Sequence, residues 1–242
     1  MVYELYYWPE IQGRGEFIRL ALEEAGADYV DVARRSERSG MGTAAMFRFM
    51  DDEAVPCPPF APPFLKAGDQ IIAQTANILL FLGPRLGLVP EDEGGRLWVH
   101  QLQLTIADML VEVHDTHHPI AASLYYDEQK PEALRRATEF TVSRLPKFLG
   151  YFESVLARNP AGNGWMVGDA LTYADLSMFQ MMAGLRYAFP RNMQRIEPGY
   201  PLLVALHDRV AERKRIKAYL KSKRRIPFNN DGIFRQYKEL DA

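Results

Sequence analysis

The chain has 242 residues, 48% of them apolar and 25% charged, with a net charge of −2. This is the balance of a globular chain with one large domain or two of ordinary size. It gives no global pull toward nucleic acid, and no segment reaches the roughly 20 apolar residues that span a bilayer, so neither partner is expected. Cys57 is the only cysteine, which rules out an intrachain disulfide and points to a reducing, cytoplasmic setting. The first fifteen residues hold Glu4, Glu10 and Arg14 around no apolar core, so no signal peptide is expected.

Taken in chain order, residues 2–8 are short and tyrosine-rich and read as a strand. Residues 14–25 carry apolar side chains at helical spacing and stop at Gly26, a good C-terminal cap. Residues 29–32 suggest a second strand. An irregular stretch, 34–62, is broken by glycines and prolines and holds an apolar patch at 46–50, where a second helix is expected. Residues 64–66 and 71–73 flank Gly68 and Asp69 and read as a hairpin. Residues 75–86 are helical, with Gly83 and Pro84 expected to cut the helix short. A linker covers 87–94. Beyond it the pattern predicts helices over 95–122, 132–157, 172–188 and 201–213, and a shorter one to about 223. The cationic run 209–225 is read as a solvated helix whose charges favour its own C-terminal dipole. This order predicts an α/β thioredoxin-like domain over 1–86, followed by an all-helical domain over 95–242.

A thioredoxin-like domain with no Cys-x-x-Cys pair cannot exchange dithiols, so its thiol must come from elsewhere. Four segments bear on its source: LYYW with GRGEFIR, then PFLKAGDQIIAQTANI, TIADML and VGDALTYADLSM. In this order and at these separations they resemble the cytosolic glutathione transferases, nearest the tyrosine-using, sigma-like branch, over essentially the whole chain. The resemblance implies that Tyr7 is the catalytic hydroxyl and that Gly13, Arg14 and Glu16 open the next helix. The spacing is one residue longer here, which leaves Tyr6 open as an alternative. The resemblance further implies a cis Pro63 opening the third strand, with Gln74 and Thr75 where the family has a Gln-Ser pair. Asp108 would reach across a homodimer to the partner's glutathione. Pro62 has no N–H, so one usual backbone bond to the glutathione cysteine is missing. Relatives anchor the glycyl carboxylate with a lysine that is absent from 47–55, and Arg48 is its substitute. Thr172 and Asp175 match a capping box that serves folding.

Each piece has a chemical reason. The thiolate is the nucleophile, and a tyrosine O–H donated to sulfur favours the charged form. Arg14 adds positive potential. The amides and hydroxyl at a helix start hold the γ-glutamyl carboxylate, and the backbone before the cis proline pairs with the peptide like an added strand. At about 100° per residue, Asp108, Val111, Asp115 and His118 share a helix face, with His114 at its edge. Val111, His114 and His118 are therefore candidates for the electrophile pocket, together with Trp8 and Phe234. The string EVHDTHH also offers an i, i+4 histidine pair able to share an ion. It lacks a further ligand set at fixed spacing, so no metal is expected, and no cofactor beyond glutathione as cosubstrate. Residues 225–242 are too apolar for a free tail; they are expected to fold over the electrophile pocket, or else to patch the helical bundle. The expected function is glutathione transfer to small electrophiles in detoxification, by a homodimer. A non-catalytic binding protein of the same fold and a glutathione-dependent isomerase are the alternatives.

Overall fold

The computed structural model describes residues 1–241; Ala242, the end of the expected helical domain and tail, lies outside them. A parallel unit of β1 (Tyr3–Tyr6), α1 (Gly15–Ala25) and β2 (Tyr29–Asp31) leads through α2 (Gly42–Asp51) to the hairpin β3 (Phe64–Ala67) and β4 (Gln70–Ala73), then α3 (Thr75–Leu86). The strand order is β2-β1-β3-β4, with β1 parallel to β2 and antiparallel to β3. Side chains alternate across the sheet. Tyr3, Leu5, Leu65 and Ala67 pack with Ile18 and Leu22 of α1 and Ile78 and Leu82 of α3. On the other face, Tyr6 and Phe64 pack with Val32, Ala45 and Met46. The expected thioredoxin-like order is the observed one.

The helical half consists of α4 (Glu93–Asp115), α5 (Lys130–Glu139), α6 (Leu145–Arg158), α7 (Tyr173–Ala188), α8 (Pro190–Ile196), α9 (Pro201–Ala211) and α10 (Lys214–Leu220). Its centre is α7, whose Leu176, Met178, Met181, Met182 and Leu185 are fully enclosed. Burial of each contributes roughly 1.5–3 kcal/mol. The capping box at its start is present. Asp175 accepts from Met166 N–H at 2.9 Å and from Thr172 N–H and hydroxyl at 2.7 and 2.8 Å. Burial pushes its pKa up to about 6 against those bonds. Among the described residues, no helix is long and apolar enough to cross a membrane.

Several boundaries differ from expectation. The third helix continues through Pro84 to Leu86 and ends on Gly87 at φ +66°. Gly83 is needed there, because a Cβ would sit 2.8 Å from both Tyr173 and Val89. The helix expected over 95–122 ends at Asp115, where the Thr116 hydroxyl donates back to the Val113 carbonyl at 2.7 Å and Pro119 disfavours helix at the residue before it. The helix expected over 132–157 is broken by a π turn at Phe140–Arg144. Pro146, at the start of α6, lacks the N–H that would continue a regular ladder. The helix α8 was not expected.

The cationic run also serves another purpose. Arg215 donates to the Glu24 and Ala25 carbonyls at 3.2 and 2.9 Å, so its charge caps the C-terminus of α1 rather than of its own helix. Arg213 pairs with Glu24, and Arg224 with Glu23. Arg225 and the Tyr219 hydroxyl both donate to buried Glu16, which also meets Arg19; Arg19 in turn holds Asp31 at 2.7 Å. This buried chain of charges joins the two halves. Removing one member would strand its partners, at about 3–5 kcal/mol.

Candidate functional site

The inner strand β1 places Tyr7 just beyond its C-terminal end, before the chain turns through Gly13 into α1. Tyr7 is 4% exposed, and its ring lies against backbone. A Cβ on Gly13, which has φ +43°, would stand 2.1 Å from the Tyr7 hydroxyl, and one on Gly15 would stand 2.6 Å from the ring. Only glycine fits either position. The Arg14 N–H donates to the Tyr7 oxygen at 2.9 Å, which occupies an acceptor position and leaves the phenolic hydrogen free to donate. Burial raises the Tyr7 pKa, against the opposing Arg14 amide and the Arg14 and Arg19 cations. The hydroxyl is therefore protonated near neutral pH.

Tyr6 is placed differently. Its ring stacks on Phe64 at 4.5 Å in the core beside α2. Its hydroxyl donates to Glu4 at 2.6 Å. Burial and that bond push its pKa well above the usual tyrosine range.

Arg14 joins this corner to a second feature. Its carbonyl lies 3.5 Å from the Thr75 hydroxyl, and it lines a cavity of about 400 Å³ with Gln74, Thr75, His100, Gln103 and Val111. The cavity opens onto the first turn of α3, where unpaired amides gather. Gln74 stands there with φ +69° and ψ 121°, sparsely populated backbone for a non-glycine residue, of the kind that clusters at ligand sites. The wall from α4 has two atoms without partners among the described residues, Gln103 Oε1 and His100 Nδ1. Gln103 is 1% exposed. Neither was anticipated. The available signal was a polar residue on the stripe Val99, Gln103, Ile106, Leu110, which otherwise faces the core.

The remaining candidates do not gather at one point. The Pro62-Pro63 bond is cis and leads directly into β3. Asp108 is exposed on α4 and does not line the cavity, whereas Val111 does. Arg48 is exposed on α2 and donates to the Gly40 carbonyl at 2.7 Å. Trp8, 39% exposed, meets Phe47 of α2 at 5.9 Å. Val111 thus belongs to the α3–α4 cavity and Trp8 to the α2 side.

His114 and His118 lie at the end of α4, joined by His117, which sequence reading had not placed in any role. Burial holds the pKa of His114 down at about 4 and that of His117 at about 3, and lowers that of His118. Phe234 departs from the pocket expected for it. It is 2% exposed, packed where a Cβ on Gly184 would stand 2.5 Å from its ring. The tail as a whole follows it. Ile233, Phe234 and Leu240 join the helical core, Phe228 stacks on Tyr187 and Tyr237 on Tyr126. Gln12 and Glu10 of the β1–α1 loop bond to Ile226 and Asn229 at 2.5 and 2.8 Å.

With this geometry in view, the chain can be compared with known proteins. The family model described as "Glutathione S-transferase, C-terminal domain" matches residues 114–223. A glutathione S-transferase of Plasmodium falciparum is 28% identical over 91% of this chain and 95% of its own length. Glutathione S-transferase 2 of Onchocerca volvulus is 28% identical over 96% of this chain and 99% of its own. In fold, the chain resembles the Pi-class glutathione S-transferase structure from Onchocerca volvulus with a TM-score of 0.72 and 24% identity, covering 96% of this chain and 99% of that one. A sheet domain and helical domain in this order, the matched helical segment and relatives spanning nearly the full length agree: the chain is similar to glutathione S-transferases along nearly all of its length and shares their fold.

Proposed function

We propose that the protein transfers glutathione to small electrophiles and that Tyr7 is the group that holds the thiolate. The observation that carries this is the Tyr7–Arg14 contact at 2.9 Å, in a corner closed by Gly13 and Gly15. A hydroxyl whose oxygen already accepts an amide hydrogen is a better donor to sulfur. An ordinary thiol titrates near 8.5, and each unit of depression requires about 1.4 kcal/mol, within reach of one charge-assisted bond plus the Arg14 potential. The thiol proton leaves to solvent, the sulfur pair forms the C–S bond, and the acceptor's leaving group departs with its electrons.

In this reading the γ-glutamyl carboxylate sits at the start of α3 on Thr75, with Gln74 and Arg14 around it, and the cysteine backbone runs along Pro62-Pro63. Arg48 takes the glycyl carboxylate, and Trp8, His114 and His118 border the acceptor. The tyrosine-type, sigma-like assignment, the division at residues 86 and 95, a cytoplasmic setting and the absence of any cofactor beyond glutathione remain part of the proposal.

The protein acts as a homodimer through α4. Leu97, Leu104 and Val111 recur every seven residues on it and are 63%, 48% and 48% exposed, an apolar stripe of the kind that marks an interface. Asp108 lies on the same helix and serves the partner's glutathione. The test is conjugation of a chlorinated nitrobenzene. Tyr7→Phe lowers kcat/KM about 100-fold and moves the onset of activity to higher pH, while Tyr6→Phe changes neither. If Tyr6→Phe has the larger effect, the assignment of the hydroxyl is wrong.

A further inference from the structure

Three of the chain's five histidines converge beyond the last turn of α4. One ring nitrogen from each of His114, His117 and His118 lies within 4.8 Å of the others. His117 stands at 86° to His118 and 64° to His114, so it meets both neighbours edge-on rather than face to face. The Nδ1 atoms of His117 and His118 face each other at 2.5 Å. Two lone pairs repel at that distance, so one of the two nitrogens carries a hydrogen that points at the other.

The opposite nitrogen of His117 decides which atoms present lone pairs. His117 Nε2 lies 2.8 Å from the Ile233 carbonyl oxygen. A carbonyl only accepts, so Nε2 carries the hydrogen and Nδ1 of the neutral ring presents its lone pair to the cluster. A backbone carbonyl on the far nitrogen is how proteins orient a ligating histidine and raise its basicity.

We propose that His114, His117 and His118 form a binding site for one divalent transition ion of the zinc, cobalt or nickel class. Imidazole nitrogen suits these ions, whereas magnesium and calcium require oxygen. Metal–nitrogen bonds of about 2.0–2.1 Å in tetrahedral geometry place ligand atoms about 3.3 Å apart. The closest pair must open from 2.5 Å and the others, all within 4.8 Å, must settle to that spacing, movements that ring rotation supplies. Arg14 and Arg235 bear on these histidines through their charge, which favours an anionic fourth ligand such as hydroxide or chloride. Asp115, 3.9 Å from His114 Nδ1, offsets part of that positive charge. This departs from the metal-free expectation drawn from the sequence, where only the 114/118 pair had a recognisable spacing.

The test uses chelator-treated full-length protein titrated with cobalt(II) and zinc(II), read by absorption and calorimetry. The expected result is one equivalent of cobalt with visible bands of a nitrogen-ligated ion, displaced by zinc. His117→Ala and His118→Gln each weaken binding by about 100-fold, and His100→Gln by about twofold or less. His118 is partly exposed, so His118→Gln keeps the fold, and zinc should raise the melting temperature of the unaltered protein but not of this variant. Absence of stoichiometric cobalt binding, or binding unchanged in both His117→Ala and His118→Gln, overturns the site.

Discussion

Two walls meet at Arg14 and are built in opposite ways. On the α1 side, Tyr7 is clamped by backbone. Gly13 and Gly15 leave room for its ring and hydroxyl and for nothing else, and the Arg14 amide fills its acceptor position. On the α4 side, the buried polar atoms Gln103 Oε1 and His100 Nδ1 have no partner among the described residues, and Leu104 and Val111 leave about half their surface in solvent. A hydroxyl clamped by backbone in this way holds one geometry whether or not a ligand is present, which is what preorganised catalysis needs. A wall with unpaired acceptors and bare apolar groups has its partners outside the chain.

The comparison breaks most sharply at Gly13. Gly13→Ala places a methyl carbon 2.1 Å from the Tyr7 oxygen at a left-handed φ of +43°. Strain and overpacking together should cost about 2–4 kcal/mol. A displaced hydroxyl should lower kcat/KM by about 100-fold. Gly40 is the control: its φ is +74° but no atom lies within 4 Å of its added Cβ, so Gly40→Ala should cost about 1 kcal/mol and leave kcat/KM unchanged. Equal losses of activity in the two variants would mean that backbone strain, and not the Tyr7 contact, explains the Gly13 effect.

The open wall is probed by Leu104→Arg. A charge set into an apolar contact between copies costs roughly 2–3 kcal/mol after partial solvation, so the dimer dissociation constant should rise by about 100-fold. Leu104 is half exposed in the single chain, so the melting temperature of the monomer should hold. Sedimentation velocity across a dilution series reads the result. A monomeric parent protein, or a dimer indifferent to Leu104→Arg, would remove α4 as the shared surface.

The same contrast explains what could be read in advance. Tyr7, Gly13 and the Pro62-Pro63 bond belong to a tight backbone arrangement that leaves marks in sequence: glycine where a side chain would collide, proline where a strand begins. The short tyrosine-rich run at β1 and the helical spacing of α1 carried the layers. The charges could not be read in this way. Glu16 stood out as part of a motif, but its partners Tyr219 and Arg225 come from about 200 residues away. The cations of 209–225 were likewise read as solvated because sequence shows charge without showing the α1 terminus that Arg215 caps. Phe234 looked available for a pocket because its place in the chain does not show Gly184 making room for it. His117 depends on the Ile233 carbonyl, a contact across 116 positions. Local periodicity finds the elements; long-range polar pairing decides what their ends do.

The smallest effect tests whether the open wall is open for a ligand. Gln103 is buried on the core stripe of α4, yet its Oε1 has no hydrogen-bond partner among the described residues. A buried acceptor left unpaired carries a desolvation penalty of about 1–3 kcal/mol, and an apolar side chain of similar size avoids it. Gln103→Leu should therefore leave the ligand-free protein unchanged or raise its stability by about 1 kcal/mol, measured by denaturant midpoint at constant slope. In the presence of glutathione the sign should reverse. The cavity that Gln103 lines also holds Arg14, Gln74 and Thr75, so the tripeptide's ammonium group can donate to the free Oε1. Stabilisation by a bound ligand grows with its affinity. At saturating glutathione the leucine variant should accordingly gain less than the parent, and its KM for glutathione should rise by about threefold to tenfold, as loss of one charge-assisted bond predicts. If Gln103→Leu destabilises the ligand-free protein instead, the amide has a structural role, and the two walls differ less than their unpaired atoms suggest.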